Sequence, residues 1–312
     1  MTNITEQIIK NMSDGMSLNE IKDVLNLPDK MFLDCLKQVR SSYQNFQKKV
    51  LDNGTVFYLP KEPQLDLNPN RIELVSTKDT FRAIFISDIH CGNKKDTLEL
   101  LDTVYEHAIA KGINIIINTG DVIENVYCLP PSKLKQKTIE GQVKRLIRTH
   151  PYSPSITNLI LYGNHDHKAL TEHGIDVASW IEYERYDMMN LSYGEAIIKI
   201  RNDEIALQHN LTNRHHTPLP VGPKIIFKGH SHKMKYDLKK GQTVINVPAL
   251  SDAAPESYEY PHQKGFLDVE ITFKDDDEFD KVYIKHFILN PKSGRSKKFN
   301  NIEDSIKKAC TA

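Results

Sequence analysis

Side chains that bind metal ions recur in the middle of this chain, each time directly after a short run of β-prone residues. Asp88 and His90 follow the first run, and Asp121 follows the second. Because α/β folds place their functional groups at the carboxyl ends of strands, we expect side chains with this placement to meet at one centre. The seven candidates after five such runs are Asp88, His90, Asp121, Asn164, His209, His230 and His232.

The donor types favour a pair of divalent metal ions. Imidazole nitrogens combined with carboxylate and amide oxygens suit transition metals, and one carboxylate can bridge two ions. Two ions about 3.5–4 Å apart clamp a phosphate ester and neutralise charge in its transition state. A single His or Asp in a loop is usually only solvated, but nothing about folding requires these residue types after five strands. We therefore expect two divalent ions, Mn²⁺ first, with Fe, Zn or Ni as alternatives.

The elements that must position these residues can be read from the same stretch. The β-prone runs cover residues 81–87, 113–118, 157–162, 204–208, 224–228 and 243–247. An amphipathic helix over about 96–111 lies between the first two, and Gly112 can end it. Further on, 265–273 and 281–289 resemble a strand pair. Strands alternating with helices predict an α/β domain over 79–290.

Residues 1–60 predict a separate helical module. A capping box of Ser17 and Glu20 opens a first helix, and Asp29 opens a second that runs to about Phe46. An Asn-Gly turn between two β-prone runs follows, which favours a hairpin. Two short helices and a hairpin together predict a winged helix-turn-helix-like domain.

The role of this module is open between contact with DNA or RNA and contact with another protein. Residues 29–49 carry an excess of three positive charges, which suits the first role, but many small helical modules serve in packing or dimerisation. Deleting residues 1–60 should weaken DNA binding and spare small-ester hydrolysis if the first role holds. Residues 61–78, with two prolines, predict a linker, and 291–312 predict a mobile basic tail.

Composition excludes several classes of protein. The formal net charge is zero, so any attraction for an anionic partner must come from a local patch. The N-terminus lacks a signal-peptide pattern, and no apolar stretch reaches the roughly 20 residues that a membrane helix needs. The cysteines, which form no C-x-x-C pair, are Cys35, Cys91, Cys128 and Cys310. We expect a cytoplasmic protein with free thiols and no membrane partner.

The ordered motifs D-x-H, G-D, G-N-H-D, H and G-H-x-H over residues 81–250 resemble the calcineurin-like metallophosphoesterase superfamily. The resemblance implies an α/β fold of two packed β-sheets flanked by helices, with the metals at the sheet edges. It also implies a role for each ligand. One ion would be held by Asp88, His90 and His232, the other by Asn164, His209 and His230, with Asp121 bridging them.

The same resemblance implies a catalytic pair. His165 would protonate the leaving oxygen as general acid, and Asp166 would hold the neighbouring loop. The expected mechanism is in-line attack on a phosphodiester by a hydroxide that bridges the two metals.

Details of the motifs bear on the substrate. Protein phosphatases of the superfamily carry G-D-x-x-D-R-G and G-N-H-E, which this chain lacks. The D-x-H-x-G form that starts at Asp88 is similar to SbcD-type DNA exonucleases, and that likeness implies DNA as substrate and an ATPase as partner. The chain departs from this branch at Glu124, where a His or Asp is common.

A basic stretch after the second motif favours a polymeric substrate. Residues 132–149 carry an excess of five positive charges, which could hold a phosphate backbone, although such runs are usually solvated helix faces. Tyr127 and Tyr152 could stack on bases, although packing is the default for a tyrosine. The candidate substrate contacts are Lys133, Lys137, Lys144, Arg145, Arg148 and Arg214.

The sequence therefore predicts a metal-dependent phosphodiesterase, a nuclease of DNA first. The alternatives are a phosphodiesterase or phosphatase of small nucleotides or RNA, and a DNA-binding regulator with an inactive domain. The complete ligand set counts against the regulator. A homodimer is a further possibility.

Overall fold

The computed structural model describes residues 3–42, 46–51, 53–60, 71–75, 79–211, 219–253, 264–289 and 297–299. The helices are α1 (Asn3–Ser13), α2 (Leu18–Val24), α3 (Asp29–Ser42), α4 (Leu100–Lys111), α5 (Ile139–Thr149), α6 (Asn164–His173) and α7 (Val177–Glu184). The first eight strands are β1 (Phe46–Leu51), β2 (Val56–Pro60), β3 (Arg71–Val75), β4 (Thr80–Ile86), β5 (Ile115–Thr119), β6 (Thr157–Tyr162), β7 (Met188–Tyr193) and β8 (Glu195–Ile200). The remaining strands are β9 (Asp203–Gln208), β10 (Ile225–Lys228), β11 (Lys235–Lys239), β12 (Gln242–Asn246), β13 (Gly265–Phe273), β14 (Phe279–Ile288) and β15 (Lys297–Phe299).

The strands form two mixed sheets. The first sheet has the order β11-β12-β10-β9-β8-β3-β1-β2, and the second has the order β15-β14-β13-β4-β5-β6-β7. In the second sheet β4, β5, β6 and β7 are parallel, so their carboxyl ends lie at one edge. In the first sheet β9, β10 and β12 are parallel to one another.

The sheets pack face to face over a buried core, and helices cover the second sheet. Phe85 of β4 stacks on Phe227 of β10 with 3.8 Å between ring centroids, which joins the two sheets. On the other face of β4, Val104, Leu146 and Ile181 bring α4, α5 and α7 into a second buried cluster. The prediction of two packed sheets flanked by helices is confirmed.

The N-terminal helices share the core between the sheets. Ile8, Phe32 and Leu36 belong to the same buried cluster as Leu74 of β3 and Phe81 of β4. The hairpin β1–β2 forms as the Asn-Gly turn predicts, and β1 also pairs in parallel with β3. Since β3 pairs with β8, the N-terminal segment extends the first sheet. Residues 71–75 of the predicted linker therefore form a sheet strand.

Several boundaries differ from the sequence predictions. The capping box of Ser17 opens α2 as expected, but the next helix ends at Ser42, because Phe46 already pairs in β1. The predicted helix over 96–111 starts at Leu100, since the Asp96 carboxylate accepts the Gly92 N–H at 2.9 Å and is tied to that loop. The sequence does not predict strands β3, β7, β8, β11 and β15. Strand β15 pairs with β14 although it lies within residues 291–312, which the sequence predicts to be a mobile tail. No helix among the described residues is long and apolar enough to cross a membrane.

Candidate metal centre

The candidate ligands follow strands of both sheets that end at one edge of the molecule. β4, β5 and β6 lead into the loops of Asp88, Asp121 and Asn164, and β9 and β10 lead into the loops of the remaining histidines. The Asp88 N–H donates to the Gly120 carbonyl at 2.9 Å, so the first two loops are tied together. The sheet edge therefore carries all five motif segments.

Three of the ligands form a first group. Nε2 of His90 and Nε2 of His232 lie 3.2 Å apart, and the latter lies 3.3 Å from Oδ1 of Asp88. All three residues are buried. Imidazole nitrogens that face each other and a carboxylate oxygen have the arrangement of ligands around a cation.

The other ligands form a second group. Nε2 of His209 lies 3.1 Å from Oδ2 of Asp121, and Nδ1 of His230 lies 2.9 Å from Oδ1 of Asn164. Oδ2 of Asp121 also lies 3.8 Å from Nε2 of His90 in the first group. The Asp121 carboxylate thus stands between the two groups, where a bridging ligand belongs.

The residues present fit divalent cations. Oδ1 of Asp88 and Nε2 of His209 are buried and make no hydrogen bond, although His232 and Asp121 lie 3.3 Å and 3.1 Å away. This is costly for a polar atom unless a ligand supplies the missing contact. Within the described part of the chain, donor atoms of Asp88, His90 and His232 converge within 4.8 Å, as do those of Asp121, His209 and His230. Both groups can therefore hold an ion.

The charges in the centre also favour bound cations. Burial alone would raise the pKa of Asp121, but His209 and His165 lower it well below its usual range. His209 is desolvated, which lowers its pKa, yet the Asp121 carboxylate raises that pKa to about 9. The centre thus attracts positive charge into a buried space, and divalent cations would supply it.

The backbone around the ligands is unusual. Positive φ angles, which non-glycine residues rarely adopt, occur at Asp88, His90, Asp121, His230 and His232. A side chain in this region of backbone space costs free energy that the surrounding structure must offset. Five of the seven candidate ligands are therefore held in strained turns that aim their side chains at the centre.

Glycines give the His209 ring its space. A Cβ at Gly163 would lie 2.7 Å from the ring, and a Cβ at Gly229 would lie 2.6 Å from its Nδ1. That nitrogen lies 2.8 Å from the Thr119 carbonyl, which fixes it as the donor and directs Nε2 to the centre.

His165 stands beside the centre at the start of α6. Its Nε2 lies 3.9 Å from Oδ2 of Asp121, and its Nδ1 donates to the Glu124 carbonyl at 2.5 Å. Burial would lower the pKa of His165, but Asp121, Cys128 and Glu124 raise it well above the usual value. A protonated imidazole at this place fits the predicted general acid.

Glu124 has a place in the centre that the sequence reasoning did not assign. Its buried Oε2 lies 3.0 Å from Nδ1 of His90 and accepts from the Asn93 amide at 2.9 Å. Its Oε1 lies 3.5 Å from Nδ1 of His165. A carboxylate behind a ligating imidazole fixes its tautomer and orientation. In the sequence alone, Glu124 shows only as a departure from a nuclease branch.

Asp166 lies behind the centre. Its buried carboxylate accepts backbone N–H groups of Gly163 at 2.9 Å, Ile123 at 3.0 Å and Val122 at 3.1 Å. These contacts agree with the predicted loop-holding role. Asp166 therefore positions the second and third motif loops against each other.

The candidate substrate contacts fall into three sets. Lys133, Lys137, Lys144 and Arg148 are exposed. The Arg145 guanidinium lies 3.3 Å from the buried Asp96 carboxylate, so it holds α5 against the loop after His90. Arg214 lies outside the described residues.

Comparisons with solved structures return proteins of low identity. Vps29 from Entamoeba histolytica, complexed with zinc, is 15% identical with a TM-score of 0.38, over 70% of this chain and 98% of that chain. Vacuolar protein sorting 29 from Cryptosporidium parvum is 15% identical with a TM-score of 0.41, over 73% and 100%. An archaeal phosphodiesterase is 13% identical with a TM-score of 0.38, over 65% and 99%.

The comparison with family profiles gives a direct match. The profile of the calcineurin-like phosphoesterase superfamily domain matches residues 81–260, more than half of the 312-residue chain. No curated protein matches the chain. The matched stretch contains all seven candidate ligands and the His165 beside them. The chain therefore belongs to the calcineurin-like phosphoesterase superfamily.

Proposed function

We propose that the protein is a metal-dependent phosphodiesterase that hydrolyses DNA. The observation that carries the proposal is the position of Asp121, whose Oδ2 lies 3.1 Å from Nε2 of His209 and 3.8 Å from Nε2 of His90. Two divalent ions, Mn²⁺ first with Fe, Zn or Ni as alternatives, would there polarise a phosphate and activate water at neutral pH. The groups around Asp121 are the first group, with Asp88, His90 and His232, and the second group, with Asn164, His209 and His230.

The chain itself supplies the proton that the departing oxygen needs. Because Nδ1 of His165 donates to the Glu124 carbonyl, its Nε2 is the atom that faces the centre. In the metal-free protein Asp121, Cys128 and Glu124 raise the pKa of His165 against the effect of burial, which favours the proton-donor form of the ring. Attack of water on phosphorus would break the P–O bond to the leaving oxygen and give a phosphomonoester, and proton donation from Nε2 to that oxygen would complete the alcohol. Glu124 keeps His90 and His165 in the orientations that this step requires.

The basic stretch supports DNA as the substrate. The Lys135 N–H donates to the Gly92 carbonyl at 2.7 Å, and the Lys94 N–H donates to the Lys133 carbonyl at 2.9 Å. These bonds hold the stretch against the loop that follows His90. Exposed lysines in that place suit contacts with successive phosphates of a nucleic-acid backbone. The chain carries no net charge that could supply the same attraction over its whole surface.

The test combines three substrates with one variant. Purified protein with Mn²⁺ is incubated with end-labelled single- and double-stranded DNA, and in parallel with a chromogenic phosphodiester. DNA shortening that disappears in Asp121→Asn is the expected result, and the fragment ladder separates end trimming from internal cleavage. Hydrolysis of the small ester with intact DNA would contradict the nuclease proposal and direct the search to RNA and small nucleotides. Inactivity on both would contradict the phosphodiesterase.

The proposal extends to partners. The motif likeness to SbcD-type nucleases favours an ATPase that acts together with this chain, and a homodimer is part of the same proposal. Co-purification and sizing with and without DNA test both.

A further inference from the structure

The segment after Asp121 lies along helix α6. The Asn125 amide donates to the His165 carbonyl at 2.9 Å, near the start of the helix. At the other end of the helix the Tyr127 ring stacks on the His173 ring, with 3.9 Å between centroids and an interplanar angle of 11°. The segment therefore connects the candidate general acid to an aromatic pair on the same helix.

Tyr127 keeps one ring face open. It is 60% exposed although His173 covers its other face. A large aromatic ring that is exposed is normally free to change rotamer, but stacking on a second ring fixes its plane. Such a fixed and open face is the form of platform on which nucleobases stack in proteins that bind single strands.

The platform lies on the same helix as the candidate general acid. In the proposed function His165, in the first turn of α6 and 3.9 Å from Oδ2 of Asp121, would protonate the departing oxygen, which would then lie over that turn. Eight residues separate His165 from His173, which corresponds to about 12 Å along the helix axis. A stacked strand advances about 3.4 Å for each nucleotide, so the base that reaches Tyr127 is roughly three or four nucleotides from the cleaved bond, fewer in an extended strand.

A cation lies between the two ends of this path. Lys168, one turn into α6, is half-buried, and its Nζ lies 4.0 Å from the Cys128 sulfur. An ammonium group in this position can attract the phosphates that connect the cleaved bond to the stacked base.

We propose that Tyr127, stacked on His173, binds an unpaired base of the leaving strand, and that the preferred substrate is therefore single-stranded nucleic acid. This inference rests on the proposed function, because it uses the direction in which His165 delivers its proton. Paired bases are stacked within the duplex and cannot offer a face to Tyr127. Small phosphodiesters lack the length to reach it.

Tyr152 offers a matched control. It is also exposed, at 45%, but it precedes β6, whereas the centre follows that strand. Its hydroxyl bonds to that of Tyr186, and the Arg185 guanidinium lies 5.8 Å from its ring centroid. Tyr152 therefore lies at the opposite edge of the sheet from the candidate ligands.

The experiment measures kcat/KM for a single-stranded oligonucleotide relative to a chromogenic phosphodiester. We expect this ratio to fall about tenfold or more in Tyr127→Ala, because stacking of one base changes affinity by about that factor. Tyr127→Phe should retain the ratio, and Tyr152→Ala should match the wild-type protein. An unchanged ratio in Tyr127→Ala would overturn the proposal.

Abasic substrates locate the stacked base. In the wild-type protein, removing the base at one position on the leaving side should lower the kcat/KM ratio as Tyr127→Ala does. In Tyr127→Ala, removing the same base should leave the ratio unchanged. Equal sensitivity at every position, or duplex cleaved as well as single strand, would overturn the proposal.

A binding measurement tests the role of Tyr127 separately from the proposed function. Anisotropy of the same labelled oligonucleotides is recorded for each variant whether or not cleavage occurs. Loss of affinity in Tyr127→Ala alone would support the platform even if the wild-type protein cleaves no DNA. Equal affinities in all variants would overturn it even if DNA is cleaved.

Discussion

The Gly120 backbone and the His209 imidazole occupy adjoining space so closely that a Cβ at position 120 would lie 2.1 Å from Nδ1 of His209. Gly163 and Gly229 border the same ring. Each of the three glycines directly precedes a candidate ligand in the sequence. One imidazole packed at the centre therefore explains the glycines of the G-D, G-N-H and G-H-x-H motifs together.

Gly120→Ala should abolish tight metal binding. The added methyl group must displace the His209 ring, and the positive backbone φ of Gly120 disfavours any side chain as well. Gly112→Ala separates the two causes, because Gly112 also has a positive φ, but nothing lies within 4 Å of its Cβ. Calorimetric titration with Mn²⁺ should show loss of binding for Gly120→Ala and retained binding for Gly112→Ala, whose stability should fall by only about 1–2 kcal/mol. Equal metal affinity in both variants would contradict the packing explanation.

Glu124→Gln should impair catalysis without unfolding the protein. The amide keeps the size of the side chain but cannot hold the Nδ1 proton of His90 as a carboxylate does at 3.0 Å. Loss of such a supporting carboxylate typically costs 10–100-fold in metal affinity or activity. Metal titrations and kcat for a chromogenic phosphodiester measure both. Glu140→Gln, on the exposed face of α5, should leave them unchanged, and an unaffected Glu124→Gln would remove Glu124 from the centre.

The sequence predicts the candidate metal centre better than it predicts the strands that extend the two sheets, such as β3. Ligands such as Asp88 and His230 stand two residues after the ends of the largely apolar strands β4 and β10, so the predicted strand ends also mark the candidate ligands. The contact of Glu124 with His90 could not be foreseen, because it depends on the parallel pairing of residues 122–124 with Cys91, which is distant in sequence. The linker prediction missed β3 because its pairing partners, β1 and β8, are distant in sequence, and local patterns do not report such pairing.

Acidification should destabilise the metal-free protein through His150. Burial, with a contribution from Arg185, lowers the pKa of His150 to about 4, whereas the unfolded chain has an ordinary value of 6.5. The unfolded state then binds more protons as pH falls from about 6.5 to 4, so stability declines across that window by about 3 kcal/mol. Urea unfolding at several pH values, in the presence of a chelator, measures this decline in the free energy of unfolding. His150→Gln should show a shallower decline, and an identical slope would contradict this origin.

Lys144 and Arg145 should behave differently although they are neighbours in the basic stretch. Lys144 is exposed, so Lys144→Ala should weaken DNA binding. The slope of log affinity against log salt concentration should also become shallower, by an amount that corresponds to about one phosphate contact. Arg145→Ala instead removes a partner of the buried Asp96 carboxylate and should lower the free energy of unfolding. Anisotropy titrations at several salt concentrations, together with urea unfolding, separate the two effects. Similar stability in both variants would argue against the structural role of Arg145.

Deletion of residues 1–60 should prevent folding and not merely weaken DNA binding. The deletion removes β1, which pairs with β3, and it removes buried Phe32 and Val50 from the core between the sheets. Circular dichroism and small-ester hydrolysis of the truncated chain should both show loss of the native state. Lys30→Glu tests nucleic-acid contact without removing part of the core, because Lys30 is exposed. Lys37 is less suitable, because its Nζ lies 3.6 Å from the Glu184 carboxylate and a substitution there would also remove that ion pair. A folded, active truncation would mean that the N-terminal segment is dispensable for the sheet that it extends.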